Sequence, residues 1–161
     1  MQRIASFEVD HRYIVPGIYI SRIDGDITTY DMRTRKPNCN DYMNNVTMHT
    51  FEHLFATYIR NSDIGSQVIY FGPMGCATGF YLLVRNSDDE KTLSAVKKVL
   101  EQIINHKGEV FGNSEIECGN YKTLNLSEGV NEAKKYLDVL NSFKDIDFKY
   151  PKKWGNFNGF K

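Results

Sequence analysis

Two short apolar-rich runs near the start of the chain are separated by a strong turn signal. Residues 18–23 and 27–33 flank Asp24-Gly25-Asp26. Glycine readily adopts the left-handed backbone that a tight turn requires, and aspartate tolerates it better than most residues. The pattern predicts an antiparallel hairpin with one strand in each run.

Three later segments place apolar residues three or four positions apart, which is the spacing of one helix face. The first begins at a cap formed by Asn44 or Asn45 and ends near Arg60. The second follows the acidic Asp88-Asp89-Glu90 and ends near His106, and the third begins at Ser127, a predicted cap. Three amphipathic helices are therefore expected.

Two more strand-like runs, residues 67–71 and 80–84, flank a glycine-rich turn over residues 72–79. Because strands and helices do not alternate regularly, the order predicts an α+β fold, in which an antiparallel sheet packs with helices in two layers. We expect a single domain over residues 1–161. Its aromatic end, residues 148–161, is interpreted as a possible tail, either frayed or packed on a neighbour.

The composition of the chain limits which partners and which cellular compartment can be expected. The 161 residues carry 20 basic and 20 acidic side chains, a balance that favours neither nucleic acid nor an anionic membrane as a partner. No run is long enough to span a membrane, and the start lacks the apolar core of a signal peptide. With only three cysteines, a cytoplasmic location is expected, where thiols serve as ligands or reactive groups.

The first predicted helix carries His49-x-x-Glu52-His53. Residues four apart share a helix face, so the two imidazoles can bind one metal ion while the carboxylate transfers protons. The alternative is a buried helix with hydrogen-bonded histidines, since so short a pattern also arises by chance. Cys118 is the natural third ligand, which leaves a coordination position open, as in catalytic sites.

Cys76 lies in the glycine-rich turn, which can expose its thiol, although a small buried thiol is an equally ordinary role for cysteine. If it faces the metal, Cys76 and Glu52 form a pair of proton carriers. Such a pair suits chemistry at a carbon next to a carbonyl. From the residues alone, His11 would be a surface or capping histidine and Arg33 a solvated charge at a strand end.

Several short motifs lie between about Ser6 and Leu140: Ser6-Phe7-Glu8-Val9-Asp10-His11, Asp31-Met32-Arg33 with Pro37-Asn38, His49-Thr50-Phe51-Glu52-His53-Leu54, Gly72-Pro73-Met74-Gly75-Cys76-Ala77-Thr78-Gly79-Phe80-Tyr81 and Glu117-Cys118-Gly119-Asn120. Together, and in this order, they resemble the signatures of the LuxS family of S-ribosylhomocysteine lyases. Ala77 departs from the family, which more often has a longer polar residue there. Cys39 matches no motif.

The resemblance implies a homodimer of α+β subunits with its active sites at the interface. It implies one Fe(II) or Zn(II) per subunit, bound by His49, His53 and Cys118. Cys76 and Glu52 would be the acid–base pair, and Ser6, His11 and Arg33 would line the substrate pocket.

The implied reaction cleaves S-ribosylhomocysteine to homocysteine and 4,5-dihydroxy-2,3-pentanedione, the autoinducer-2 precursor of quorum sensing. It proceeds by enediolate isomerisation and β-elimination, and it also belongs to methyl-cycle recycling.

Two other interpretations stay open. An inverted-zincin metallopeptidase would use Glu52 to activate a metal-bound water, but such enzymes usually take a carboxylate as third ligand. A zinc-stabilised binding module would need four protein ligands, and the sequence offers three good ones.

Overall fold

The structure, a computed structural model, describes Ile4 and residues 7–152. Within these residues seven main elements follow one another: β1 (Gly17–Asp24), β2 (Ile27–Arg33), α1 (Asn45–Arg60), β3 (Val68–Pro73), β4 (Gly79–Arg85), α2 (Asp89–Ile104) and α3 (Leu126–Ser142). The predicted hairpin and all three predicted helices are present, with ends shifted by at most a few residues. Gly25 sits in the hairpin turn with a φ of 60°, the conformation that favours glycine there.

The strands form one antiparallel sheet in the order β1-β2-β4-β3 across the described part of the chain. β2 lies in the middle, so its residues have partners on both sides. Asp31, for example, stands between Tyr19 of β1 and Tyr81 of β4. The predicted α+β class is confirmed.

One face of the sheet packs against the helices to form the core. Tyr30 and Met32 of β2 are fully buried there together with Phe80 of β4. Phe51 of α1 joins them, with its ring centroid 4.8 Å from that of Phe80. Removing such large apolar side chains from water is the main favourable term in folding.

The opposite face of the sheet carries the strand residues that alternate with these core residues. Successive strand residues point to opposite faces, so Asp31 and Arg33 lie away from the helices while Tyr30 and Met32 lie toward them. Asp31 is fully buried and Arg33 is only 2% exposed, and the two form an ion pair with Nη2 2.5 Å from Oδ2. The interpretation of Arg33 as a solvated strand-end charge is therefore wrong. Its guanidinium can be buried because the negative charge of Asp31 offsets the free energy of removing it from water.

Helix starts follow the capping rules, with one shift. Asn44 caps α1, since its side chain accepts the N–H of Thr47 at 2.7 Å. The predicted cap at Ser127 is wrong: Asn125 caps α3, accepting the N–H of Ser127 at 3.1 Å and its hydroxyl at 2.8 Å. Asparagine is as good a cap as serine, and it lies two residues earlier.

The segment after α3 returns to the sheet of its own chain. The N–H of Ile20 donates to the carbonyl of Phe148 at 2.8 Å, and the Phe148 ring is buried in the core. The start of the predicted tail, at Phe148, therefore packs on the core of its own chain. Residues 153–161 lie outside the described residues.

In the part of the chain that the structure describes, no helix has the length and apolar character needed for a membrane span.

Candidate active site

The His49-x-x-Glu52-His53 helix and a distant loop meet at one point. On α1 the rings of His49 and His53 lie side by side, with centroids 4.6 Å apart. Cys118 approaches from a turn in which its N–H donates to the carbonyl of Ser114 at 3.0 Å. One potential ligand atom from each of the three side chains lies within 4.8 Å of the others.

Both imidazoles are held by their Nδ1 atoms. His53 Nδ1 is 2.7 Å from the carbonyl oxygen of Phe111, and because a carbonyl only accepts, Nδ1 carries the proton. His49 Nδ1 is 2.9 Å from the hydroxyl of Thr123. These contacts leave both Nε2 atoms available as ligands, which is the usual arrangement around metal-binding histidines.

A glycine makes room for one of these contacts. Gly112 follows Phe111 with a φ of 69°, and a Cβ built on it would lie 3.0 Å from His53 Nδ1. Any larger residue there would be strained in its backbone and would crowd the imidazole.

The donor types, and the separation of two of the donors, fit a tetrahedral metal ion. Zinc lies about 2.0–2.1 Å from nitrogen and about 2.3 Å from sulfur, so neighbouring donors should be about 3.3–3.6 Å apart. Cys118 Sγ is 3.4 Å from His49 Nε2. Burial lowers the pKa of His49, and the nearby His53 lowers it further, which favours the neutral imidazole that binds metals.

Glu52 lies on the same helix and is partly buried. Burial raises the pKa of its carboxyl group, while the nearby His53 opposes part of that rise. A carboxyl group whose pKa moves toward neutrality can both accept and return a proton under physiological conditions. The environment of Glu52 thus suits proton transfer.

Cys76 lies at an exposed position in the turn between β3 and β4. Its Sγ is 3.0 Å from the hydroxyl of Thr78 and 3.9 Å from Nη1 of Arg33. The guanidinium is held in turn by Asp31, with Nε 3.1 Å from Oδ1. A thiol beside a guanidinium has the electropositive surroundings of a reactive cysteine.

Of the two remaining predicted site residues, the structure describes one. His11 lies in an N-terminal turn with Nδ1 2.9 Å from the carbonyl of Val9, and Ser6 lies outside the described residues. Among the residues that the structure describes, no hydrogen bond joins Cys76 or Arg33 to the His49–His53–Cys118 group.

Sequence reasoning missed several supporting residues. Asp31 was part of a recognised motif, and its position two residues before Arg33 on a strand could have indicated that they share a face. No local signal identifies Phe111 or Thr123, which reach the histidines across 58 and 74 positions.

Comparison with known proteins agrees with this arrangement. The S-Ribosylhomocysteinase (LuxS) family model matches residues 4–146. The chain is similar to the S-ribosylhomocysteine lyase of Finegoldia magna, with 44% identity over 94% of this chain and 99% of that protein. The same-named protein of Borreliella burgdorferi is 41% identical over 94% of this chain and 100% of its own length. A match of this extent is decisive, and the chain belongs to the S-ribosylhomocysteinase (LuxS) family.

Proposed function

We propose that this protein is a lyase that cleaves S-ribosylhomocysteine to homocysteine and 4,5-dihydroxy-2,3-pentanedione. The observation that carries the proposal is the convergence of His49, His53 and Cys118 in a chain whose relatives are named S-ribosylhomocysteine lyases. Glu52 and Cys76 are the proton carriers of the proposed reaction.

His49, His53 and Cys118 would hold one divalent metal per subunit, Fe(II) or Zn(II). When bound, such an ion polarises a carbonyl oxygen and stabilises the charge that develops on it. Two imidazoles and a thiolate suit either metal. The N–H of Asn120 donates to Cys118 Sγ over 3.4 Å, a contact that helps to position this ligand.

Glu52 and Cys76 would move the protons. The carbonyl must migrate along the ribose chain, and each migration removes a proton from one carbon and delivers a proton to its neighbour. In the final elimination a base takes the proton on the carbon beside the carbonyl. The carbon–sulfur bond then breaks, and its electron pair leaves with the homocysteine sulfur, which a proton converts to the thiol.

Ser6, His11 and Arg33 would line the substrate pocket. Arg33 is suited to this role because Asp31 and Thr78 hold its guanidinium, with Nη1 2.6 Å from the Thr78 hydroxyl. A group fixed in this way loses little conformational freedom when it binds a ligand.

The proposal includes a homodimer with active sites at the interface. Arg33 faces away from the helices, whereas His49 and His53 belong to the helical layer, so one chain separates the two groups. Residues of a second chain could complete each site. Thiol chemistry of this kind also fits the reducing cytoplasm.

The proposal is tested by metal analysis of anaerobically purified protein and by an assay for thiol released from S-ribosylhomocysteine. We expect about one metal per chain and substrate-dependent release of homocysteine. Cys76→Ser and Glu52→Gln should each keep the metal but lose about 10²–10⁴-fold in turnover, the usual contribution of a general acid or base. The matched control is Cys39→Ser, which removes another exposed cysteine and should keep full activity.

The competing interpretations give different results. A metallopeptidase would hydrolyse peptides and release no thiol from S-ribosylhomocysteine. A binding module would retain its metal without any turnover. Near wild-type thiol release by Cys76→Ser would show that the proton carriers are misassigned.

A further inference from the structure

The segment from Ile146 to Tyr150, here termed the C-terminal segment, is attached to the sheet at three points. The hydrogen bond from Ile20 to Phe148 extends the sheet at the edge of β1. The ring of Tyr150 stacks on that of Tyr19, with centroids 4.9 Å apart and an interplanar angle of 23°. The third attachment is polar and reaches across the sheet face.

That polar contact ends on the buried carboxylate of Asp31. The hydroxyl of Tyr150 donates to Asp31 Oδ2 at 2.7 Å, and Nη2 of Arg33 donates to the same oxygen at 2.5 Å. Burial raises the pKa of Tyr150, and the adjacent Asp31 raises it further, so the phenol remains a donor at physiological pH. Asp31 is therefore positioned by groups from two different parts of the chain.

The contacts continue from Asp31 to the thiol. Arg33 uses Nε and Nη2 on Asp31, which leaves Nη1 for the Thr78 hydroxyl at 2.6 Å and Cys76 Sγ at 3.9 Å. A guanidinium is planar and rigid, so a change in how one edge is held reorients the other edge. The position of the Asp31 carboxylate thus decides how the cation faces Cys76.

We propose that Tyr150 is a positioning residue of the site, which holds Asp31 and Arg33 so that the guanidinium stands beside the thiol of Cys76. The C-terminal segment would thereby set the reactivity of a cysteine located 74 positions earlier in the chain. The consequence for turnover rests on the proposed function, because only there is Cys76 a proton carrier.

The test is Tyr150→Phe, which keeps the ring and its stacking on Tyr19 but removes the hydroxyl. Purified, metal-loaded protein is treated with iodoacetamide, and the peptide containing Cys76 is followed by mass spectrometry. Without the phenol, Asp31 loses one of the donors that fix its carboxylate, so the Arg33 guanidinium is held less well and stabilises the attacking sulfur less. We expect alkylation of Cys76 to slow about threefold to tenfold, a part of what a hydrogen bond to a charged group is typically worth.

The matched control is Tyr19→Phe, which removes a hydroxyl from the other ring of the stack. That hydroxyl donates to the carbonyl of Val15 at 2.8 Å, away from Asp31. In the Tyr19→Phe variant, the alkylation rate of Cys76 should equal that of the wild type. Metal content should be unchanged in both variants, and kcat should fall in Tyr150→Phe alone, with little change in KM.

A purely structural role predicts a different outcome. Loosening the C-terminal segment would lower the melting temperature, and the alkylation of Cys76, which is already exposed, would accelerate or stay the same. Either result in Tyr150→Phe would overturn the proposal. If the wild-type protein released no homocysteine, the proposed function would fail, but the alkylation rates would still decide the role of Tyr150.

Discussion

At the scale of single residues, the three candidate ligands differ in how they are held. The histidines project from a regular helix and are fixed by contacts to Phe111 and Thr123. Cys118 comes from a turn and completes the donor set from outside the helix. The site therefore depends on one loop residue for its third ligand.

We expect Cys118→Ala to lose metal. A site with three protein ligands has no spare donor, so the affinity should fall by more than about 100-fold, the upper range for removing a supporting contact. Metal content after dialysis against a chelator measures this loss. In cobalt-substituted protein, the sulfur-to-metal charge-transfer band should also disappear.

Thr123→Val provides a graded comparison. It removes only the hydroxyl that contacts His49 Nδ1, so it should weaken metal binding by about 10–100-fold and keep the charge-transfer band. Full metal content with an intact band in Cys118→Ala would show that a different residue is the third ligand.

At the scale of elements, a buried ion pair joins the loop after β2 to α3. Nη1 and Nη2 of Arg35 donate to the two carboxylate oxygens of Glu132 at 2.7 and 2.5 Å. Glu132 is 2% exposed, so neither charge has ready access to water. α3 also approaches α1 closely at Gly129, where an added Cβ would lie 2.8 Å from Leu54 Cδ1. These two contacts fix the helix on the core.

We expect Glu132→Ala to destabilise the fold by about 3–5 kcal/mol, because it removes the buried partner of Arg35 and leaves that cation only the exposed carboxylate of Asp41, 3.1 Å from Nε. Urea unfolding of the metal-loaded protein measures the change. Asp63→Ala is the control: its pair with Lys98 is exposed, with Nζ 3.5 Å from Oδ2, and should contribute at most about 1 kcal/mol. Equal stability losses in the two variants would contradict the importance of the buried pair.

At the scale of the whole molecule, the sheet separates the residues of the proposed site. Asp31 and Arg33 lie on the face away from the helices, while His49 and His53 belong to the helical layer. No hydrogen bond joins His11 to either group in the described part of the chain. The homodimer that we propose, with sites at its interface, would bring these residues together.

We expect complementation between two inactive variants. In His11→Ala every N-terminal segment is defective, and in Cys118→Ala every metal site is defective. If the N-terminal segment of one chain completes the metal site of the other, a mixed dimer regains one intact site. Mixing and exchanging the subunits should then restore up to about a quarter of wild-type activity, from the statistics of random pairing between identical surfaces.

The same mixing experiment can also contradict a site shared between two chains. No recovery after confirmed subunit exchange would place His11 and the metal in one chain. Sedimentation at assay concentration gives a separate check, because a fully active monomer would exclude a site shared between chains.

The sequence alone determined the features that depend on near neighbours. The hairpin follows from residues 24–26, the helices from three- and four-residue spacing, and the pairing of His49 with His53 from one helical turn. The motifs also identified the family correctly. These features were predictable because each depends on geometry within a few positions.

Only the tertiary structure decided which distant residues meet. Arg33 was expected in solvent, yet it is buried because Asp31, Thr78 and the C-terminal segment surround it. The Glu132 partner of Arg35 lies 97 positions away, and Tyr150 reaches Asp31 across 119. Such contacts depend on how whole elements pack, and the free energy of burying a charge is set by partners that no local pattern names.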